Sequence, residues 1–393
     1  MTATTVNDVP VFSLVEGGAT HELVRRFVRK RTKYLFYQIA LVAAIFCWLP
    51  LMLLSIFEGV AWGDRVAIPF FYDLAVHTRF LVAVPLFIIA EAIIGPMLMQ
   101  VAVHIATSGR IRARDLARYK AAVAEGLRLR DSKLAEGIVF GVALVSTVLG
   151  MFIFAQEVPN WRWLKSGSGV NLTLAAYWYA FISVPIFQFL FYRWLLRMFN
   201  WSRFLYRVSR LDLKLLPTHP DRAGGIGFIG ENQRFFAFIT FALGAVFSGI
   251  YGNEILYENF PIAGISAPAA TIAIVLVLYI QLPAIFFFPM LRIVKRRAIF
   301  EYGALALSYT SEFDKKWIRG KHDPEEQLMG SGDIQSLADL GNSYLVVEGM
   351  RLVPFGWKTT AGLAASFILP ILPLFLTVMP LKDIVKTVMK VLT

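Results

Sequence analysis

Cysteine is almost absent from this chain: the single Cys47 excludes a disulfide or a cysteine metal cluster within one molecule, and a buried, inert thiol is expected. Histidine is scarce too, with five in 393 residues. His77 and His104 flank opposite ends of one apolar block, His21 and His322 lie in polar segments, and His219 stands in a loop. No metal-ligand spacing and no haem pair follows from that placement. Charged residues make up 17% of the chain, against about 25% in soluble domains. No nucleophile motif is visible, so no cofactor and no catalytic constellation is expected.

Apolar residues fill the space that charge leaves. They form 57% of the chain, with a mean hydropathy of +0.60, and they fall into blocks of the length that crosses a hydrocarbon core, roughly 20 residues. The blocks are 34–57, 80–106, 138–155, 173–196, 235–252, 267–291 and 360–379. The expected fold class is therefore all-α: a polytopic transmembrane helical bundle of about seven spans with cytoplasmic helical extensions. The basic cluster Arg25, Arg26, Arg29, Lys30, Arg31 and Lys33 reads as a juxtamembrane anchor rather than a cleaved leader.

The net charge of +12 would suggest a polyanionic partner in a soluble protein. Position argues otherwise, because most Lys and Arg gather before the first block and in the long segments after the second, fourth and sixth. That bias is expected to hold the N-terminus and the three long loops in the cytoplasm. Anionic lipid headgroups account for the charge, and no nucleic acid is expected. Four regions follow: a basic segment 1–33, a six-helix core 34–291, a cytoplasmic helical hairpin 292–358, and a seventh span with an amphipathic tail 359–393. In that tail Lys382, Lys386 and Lys390 share one face.

The even-numbered blocks carry a common local pattern around Pro85, Pro185 and Pro283. Three hairpin repeats are expected from it, each an outgoing helix, a short loop and a proline-kinked returning helix, related by an axis along the membrane normal. Chance is the alternative, because proline is tolerated in membrane helices. Small residues four apart, Gly137 and Gly141, then Gly244, Ser248 and Gly252, are expected to let helices approach closely. In the inner loops, Leu116, Tyr119, Val123 and Leu127, and then Ile334, Leu337, Leu340, Tyr344 and Val347, keep a helical period. Between them Lys321 to Glu326 reads as a loop tip.

Glu91 is an acid at the middle of the second block, where an ionised carboxylate costs several kcal/mol unless paired, hydrated or protonated. Gln188 and Gln281 lie at comparable depth in the fourth and sixth blocks and are expected to reach it, completing a pathway lined by kinked helices. A plain cross-linking role is the alternative. A second candidate is the loop 215–228. His219, Asp221, Arg222, Gly224 and Gly225 there would offer backbone amides and a guanidinium to an anion or headgroup. A rigid docking turn is the alternative. The triglycine spacing has no strand before it and does not make a nucleotide site.

Asp339 to Tyr344, Met350 to Phe355, Leu369 to Leu374, Met379 to Leu381 and Lys390 to Leu392, with Thr218-His219-Pro220-Asp221 and its paired glycines, resemble a family of bacterial integral membrane proteins. The resemblance implies a bacterial cytoplasmic membrane and brings no established activity. Three classes of function remain open: a transporter or channel for a small solute or ion, proton-linked at Glu91; a membrane scaffold or accessory subunit, with self-association open; and a lipid-acting enzyme.

Overall fold

A computed structural model describes residues 12–15, 17, 33–153, 159–166, 169–320, 327–328 and 330–375. The cluster 25–31, the loop tip 321–326 and the tail 376–393 lie outside the described residues, and with them the face of Lys382, Lys386 and Lys390 and the last two family-like runs. Ten helices organise the rest: α1 Lys33–Phe57, α2 Leu74–Thr107, α3 Leu116–Arg130, α4 Lys133–Ile153 and α5 Leu174–Val208. Then come α6 Phe228–Tyr257, α7 Ile262–Ile285, α8 Phe288–Phe313, α9 Gly332–Glu348 and α10 Trp357–Phe375. Seven of them, α1, α2, α4, α5, α6, α7 and α10, are long and apolar enough to cross a membrane. A short antiparallel hairpin, β1 Trp163–Ser166 with β2 Gly169–Leu172, precedes α5.

Caps and prolines explain where the long helices depart from the apolar blocks. α2 starts at Leu74 because the Asp73 carboxylate accepts the Val76 amide, a donor that the first turn otherwise leaves unpaired. α5 starts at Leu174 in the same way: the Thr173 hydroxyl accepts from Ala176 N at 3.0 Å, and the Glu58 carboxylate takes Leu174 N at 2.9 Å. The sixth block does not continue to residue 291. It breaks at Phe286 and Phe287, beside Pro283, and restarts with Pro289 in the first turn of α8, where the missing amide costs nothing.

α2 and α5 share a second feature, at an offset of 100 residues. Each opens with α-helix, passes through a π turn, Thr78–Ala83 in α2 and Tyr179–Ser183 in α5, and resumes at Val84 and Val184. Proline comes next, Pro85 and Pro185, and cannot donate to the preceding turn. Its ring also crowds the carbonyl four residues back. Widening that turn relieves the crowding, and the Val84 and Val184 amides reach back to Arg79 O and Tyr179 O. Equivalent positions of the two helices then meet. Arg79 donates to the Tyr179 hydroxyl, and Phe87 stacks on Phe187 with centroids 5.9 Å apart. Pro283 is built differently: it lies near the end of α7, with no π turn before it.

The two ends of the bundle differ in charge. At one end the loop before α2 bridges the segment before β1 through Ile68 and Asn160, and Tyr257 donates to Tyr72 O. At the other, Ile111 bridges Leu213 and Arg351 N bonds Arg222 O at 2.7 Å. This second end is basic, with Arg110, Arg112, Arg114, Arg210, Lys214, Arg222 and Arg351. α3 packs on it, its buried Tyr119 donating to Ala102 O at 2.6 Å. α8 and α9 form the hairpin beyond, tied by Lys316 and Trp317 on the Asp333 carboxylate.

Small residues admit close neighbours in α6 but not in α4. A Cβ on Gly244 would lie 2.1 Å from the Phe367 carbonyl of α10, and one on Gly252 would strike Leu74. Gly137 and Gly141 have nothing within 4 Å, so the expected close approach at α4 is absent. Close approach occurs instead where no spacing suggested it. Residues 12–15 enter the bundle from the basic end, with Phe12, Leu14 and Val15 buried. Phe12 lies against Gly126 of α3 and Val15 against Gly95 of α2, at distances that leave no room for a Cβ.

Candidate functional site

Glu91 is buried midway along α2, and two arginines of α5 pair with it. Its Oε1 lies 2.7 Å from Arg197 Nη1 and 3.4 Å from Arg193 Nη1. Arg193 donates a hydrogen bond across that gap, whereas the Arg197 contact is an ion pair without hydrogen-bond alignment. Arg193 and Arg197 stand four residues apart and so project from one face of the helix. All three residues are buried. Around them the packing is aromatic: the Arg197 guanidinium lies 5.2 Å from the Trp194 ring, and Trp194 Nε1 donates to Phe87 O at 2.9 Å.

On the basic side of this cluster is a cavity of about 30 Å³, room for about one water. Leu14, Arg130, Glu136, Arg193, Arg197 and Asn200 line it. Arg130 binds both oxygens of Asp131, at 2.8 and 2.7 Å, and donates to Ser13 O at 2.9 Å. Among the described residues, three guanidiniums, Arg130, Arg193 and Arg197, and three carboxylates, Glu91, Asp131 and Glu136, lie together here in one cluster. Residues 12–15 cover it from the basic end. Phe12 stacks on Phe204 at 4.3 Å and tilts against Trp201 at 5.9 Å, while Asn200 donates to Gly126 O at 2.8 Å.

The expected pairing of Glu91 with glutamines is corrected by these contacts. Gln188 Oε1 accepts the hydroxyls of Ser146 at 3.0 Å and Thr147 at 2.6 Å, joining α5 to α4. Gln281 Nε2 donates to Thr360 at 2.7 Å, joining α7 to α10. Both amides sew neighbouring helices together rather than line one interior with Glu91. Of the prolines expected along a pathway, Pro85 and Pro185 precede the cluster by a few turns on its own two helices, and Pro283 belongs to a different interface. The sequence does not single out Arg193 and Arg197, because they fall where the fourth apolar block gives way to a basic segment. Their signal was the four-residue spacing on a helix that runs on to Val208.

The loop 215–228 is the second correction. The amides expected to meet an anion are taken by the loop's own carboxylate: Asp221 accepts Ala223 N at 2.8 Å, Gly225 N at 3.0 Å and Gly227 N at 2.8 Å. His219 Nδ1 lies 2.9 Å from the same carboxylate. Burial would raise the Asp221 pKa, but the three amides and His219 outweigh it and hold the carboxyl below the ordinary range. Arg222 adopts φ 52°, Gly224 φ 66° and Gly225 φ 92°, the left-handed conformations that such a tight wrap requires. Arg351 Nη2 then bonds Asp221 O at 2.7 Å, so the loop is a rigid turn docked beneath α10.

Among the described residues no group of three His, Cys, Asp or Glu side chains is placed to hold a metal. Comparison with protein-family models, curated proteins and solved structures gives no match.

Proposed function

We propose that this is a multi-pass protein of a bacterial cytoplasmic membrane, with its N-terminus and basic end in the cytoplasm. In this reading α2 and α5 form the moving core of a path for a small solute or ion. The observation that carries it is the Glu91–Arg193–Arg197 cluster, held between two helices that each contain a π turn. Charged side chains at this depth are costly, and they are retained where a pathway or a switch needs them. A cluster of paired opposite charges also suits a gate. While the helices are together the ions compensate one another, and when they part each needs water, which the adjoining cavity can admit.

Two closures stack one above the other, the ion cluster midway through the bundle and the inserted residues 12–15 between it and the basic end. Both must yield before a solute passes in that direction. The matched build of α2 and α5 supports treating hairpins 34–106 and 138–196 as a repeated pair; α7 with Pro283 lies outside that pair. The charge bias between the two ends supports the orientation, and the likeness of the Asp339 to Leu374 runs to bacterial integral membrane proteins supports the compartment.

A scaffold that does not move is the competing reading, and replacing the pair as a unit separates the two. Glu91→Gln with Arg197→Gln removes one charge of each sign. A scaffold keeps the same closed bundle in that double variant. A gate loses its latch, and reconstituted vesicles gain permeability to small ions at least tenfold above wild type.

A further inference from the structure

α8 begins just past the break that ends α7, at the basic end. Arg292 lies ~10 Å along the helical path beyond Ile285, the depth of a headgroup layer on the membrane reading. Arg292, Lys295 and Arg296 share a surface cavity of about 330 Å³ with Ile299, Phe300 and Leu352. Lys295 Nζ donates to Met350 O at 2.8 Å, which fixes one wall. The nearby Glu301 is paired with Arg297 at 2.6 Å. Among the described residues no carboxylate lies within ion-pair distance of Arg292 or Arg296, so two guanidiniums face the cavity uncompensated.

The apolar wall is as informative as the charge. Phe300 is 70% exposed and Ile293 68%, on the same helix as the free cations. Such a helix, cations beside large exposed apolar groups, matches a membrane interface, where phosphate and acyl chain lie side by side. Arginine suits the phosphate, because its planar fork takes two oxygens at once.

We propose that this cavity binds an anionic phospholipid, its phosphate on Arg292 and Arg296 and its acyl chain along Phe300 and Leu352. The site is separate from the Asp221 loop, whose amides are occupied, and it stands or falls independently of the gate. The test is native mass spectrometry of the full chain in detergent, titrated with phosphatidylglycerol, phosphatidylcholine or inorganic phosphate. Phosphatidylglycerol is expected to bind in preference to phosphatidylcholine, and its affinity to fall roughly tenfold to thirtyfold in R292Q/R296Q, at about 1 kcal/mol per cation. R292K/R296K, which keeps the charge but loses the planar fork, is expected to bind between wild type and R292Q/R296Q, and Phe300→Ser to weaken the lipid without changing the binding of inorganic phosphate. Three results would overturn the proposal: unchanged affinity in R292Q/R296Q, an equal loss in the remote variant Arg128→Gln, or equal competition by inorganic phosphate, which would make this a phosphate site.

Discussion

Neutralising Glu91 alone strands two buried guanidiniums, so Glu91→Gln is not a silent change. Removing one partner of a buried ion pair costs about 3–5 kcal/mol, and the thermal midpoint of the purified protein is expected to drop accordingly. Adding Arg197→Gln restores the balance and should recover more than half of that loss. A double variant as unstable as the single one would mean that the pair does not act as a unit. Asp221 tests the second site. Its folded pKa is depressed, so its contribution is present above the ordinary aspartate value of about 3.9 and is lost as pH falls through the lower folded value. Asp221→Asn should remove that acid-side dependence, because an amide side chain does not titrate; an unchanged pH profile of stability would refute the assignment. Glu91 was legible in the sequence as a costly central acid. Its partners were not, because depth follows from counting residues whereas facing follows from helix rotation, and rotation sent Gln188 and Gln281 to other helices.

At the scale of elements, the seven apolar helices were legible because hydrophobicity over roughly 20 residues is a local property. The caps at Asp73 and Thr173 and the π turns before Pro85 and Pro185 were not, since each depends on one side chain or one displaced carbonyl. Least visible of all was the insertion of residues 12–15, whose slot is built from Gly95 and Gly126 on distant helices. Gly126→Leu should expel Phe12, whose ring lies 2.4 Å from where a Cβ would stand. With Leu14→Cys as reporter in a Cys47→Ser background, a water-soluble maleimide is expected to label Gly126→Leu at least tenfold faster than its parent. Equal rates would show that residues 12–15 do not seal the slot.

For the whole molecule, the charge difference between the two ends carries the orientation. A reporter active only outside the cytoplasm should work when fused after Gly63, and one active only in the cytoplasm when fused after Ser209; the reverse pattern would invert the protein and move both closures to the other face. The gate itself is tested most directly by side-specific access to the α2–α5 interface, which needs no knowledge of the solute. Phe187→Cys, in the Cys47→Ser background, places a thiol where Phe87 and Phe187 stack, beyond the ion cluster from the basic end. A membrane-impermeant maleimide supplied from the basic side is expected to leave it unlabelled while Glu91, Arg193 and Arg197 are intact, and to label it once Glu91→Gln and Arg197→Gln are introduced in a protein that still elutes as a folded species. Absence of labelling in both proteins would contradict the gate and leave the cluster as a structural tie between α2 and α5.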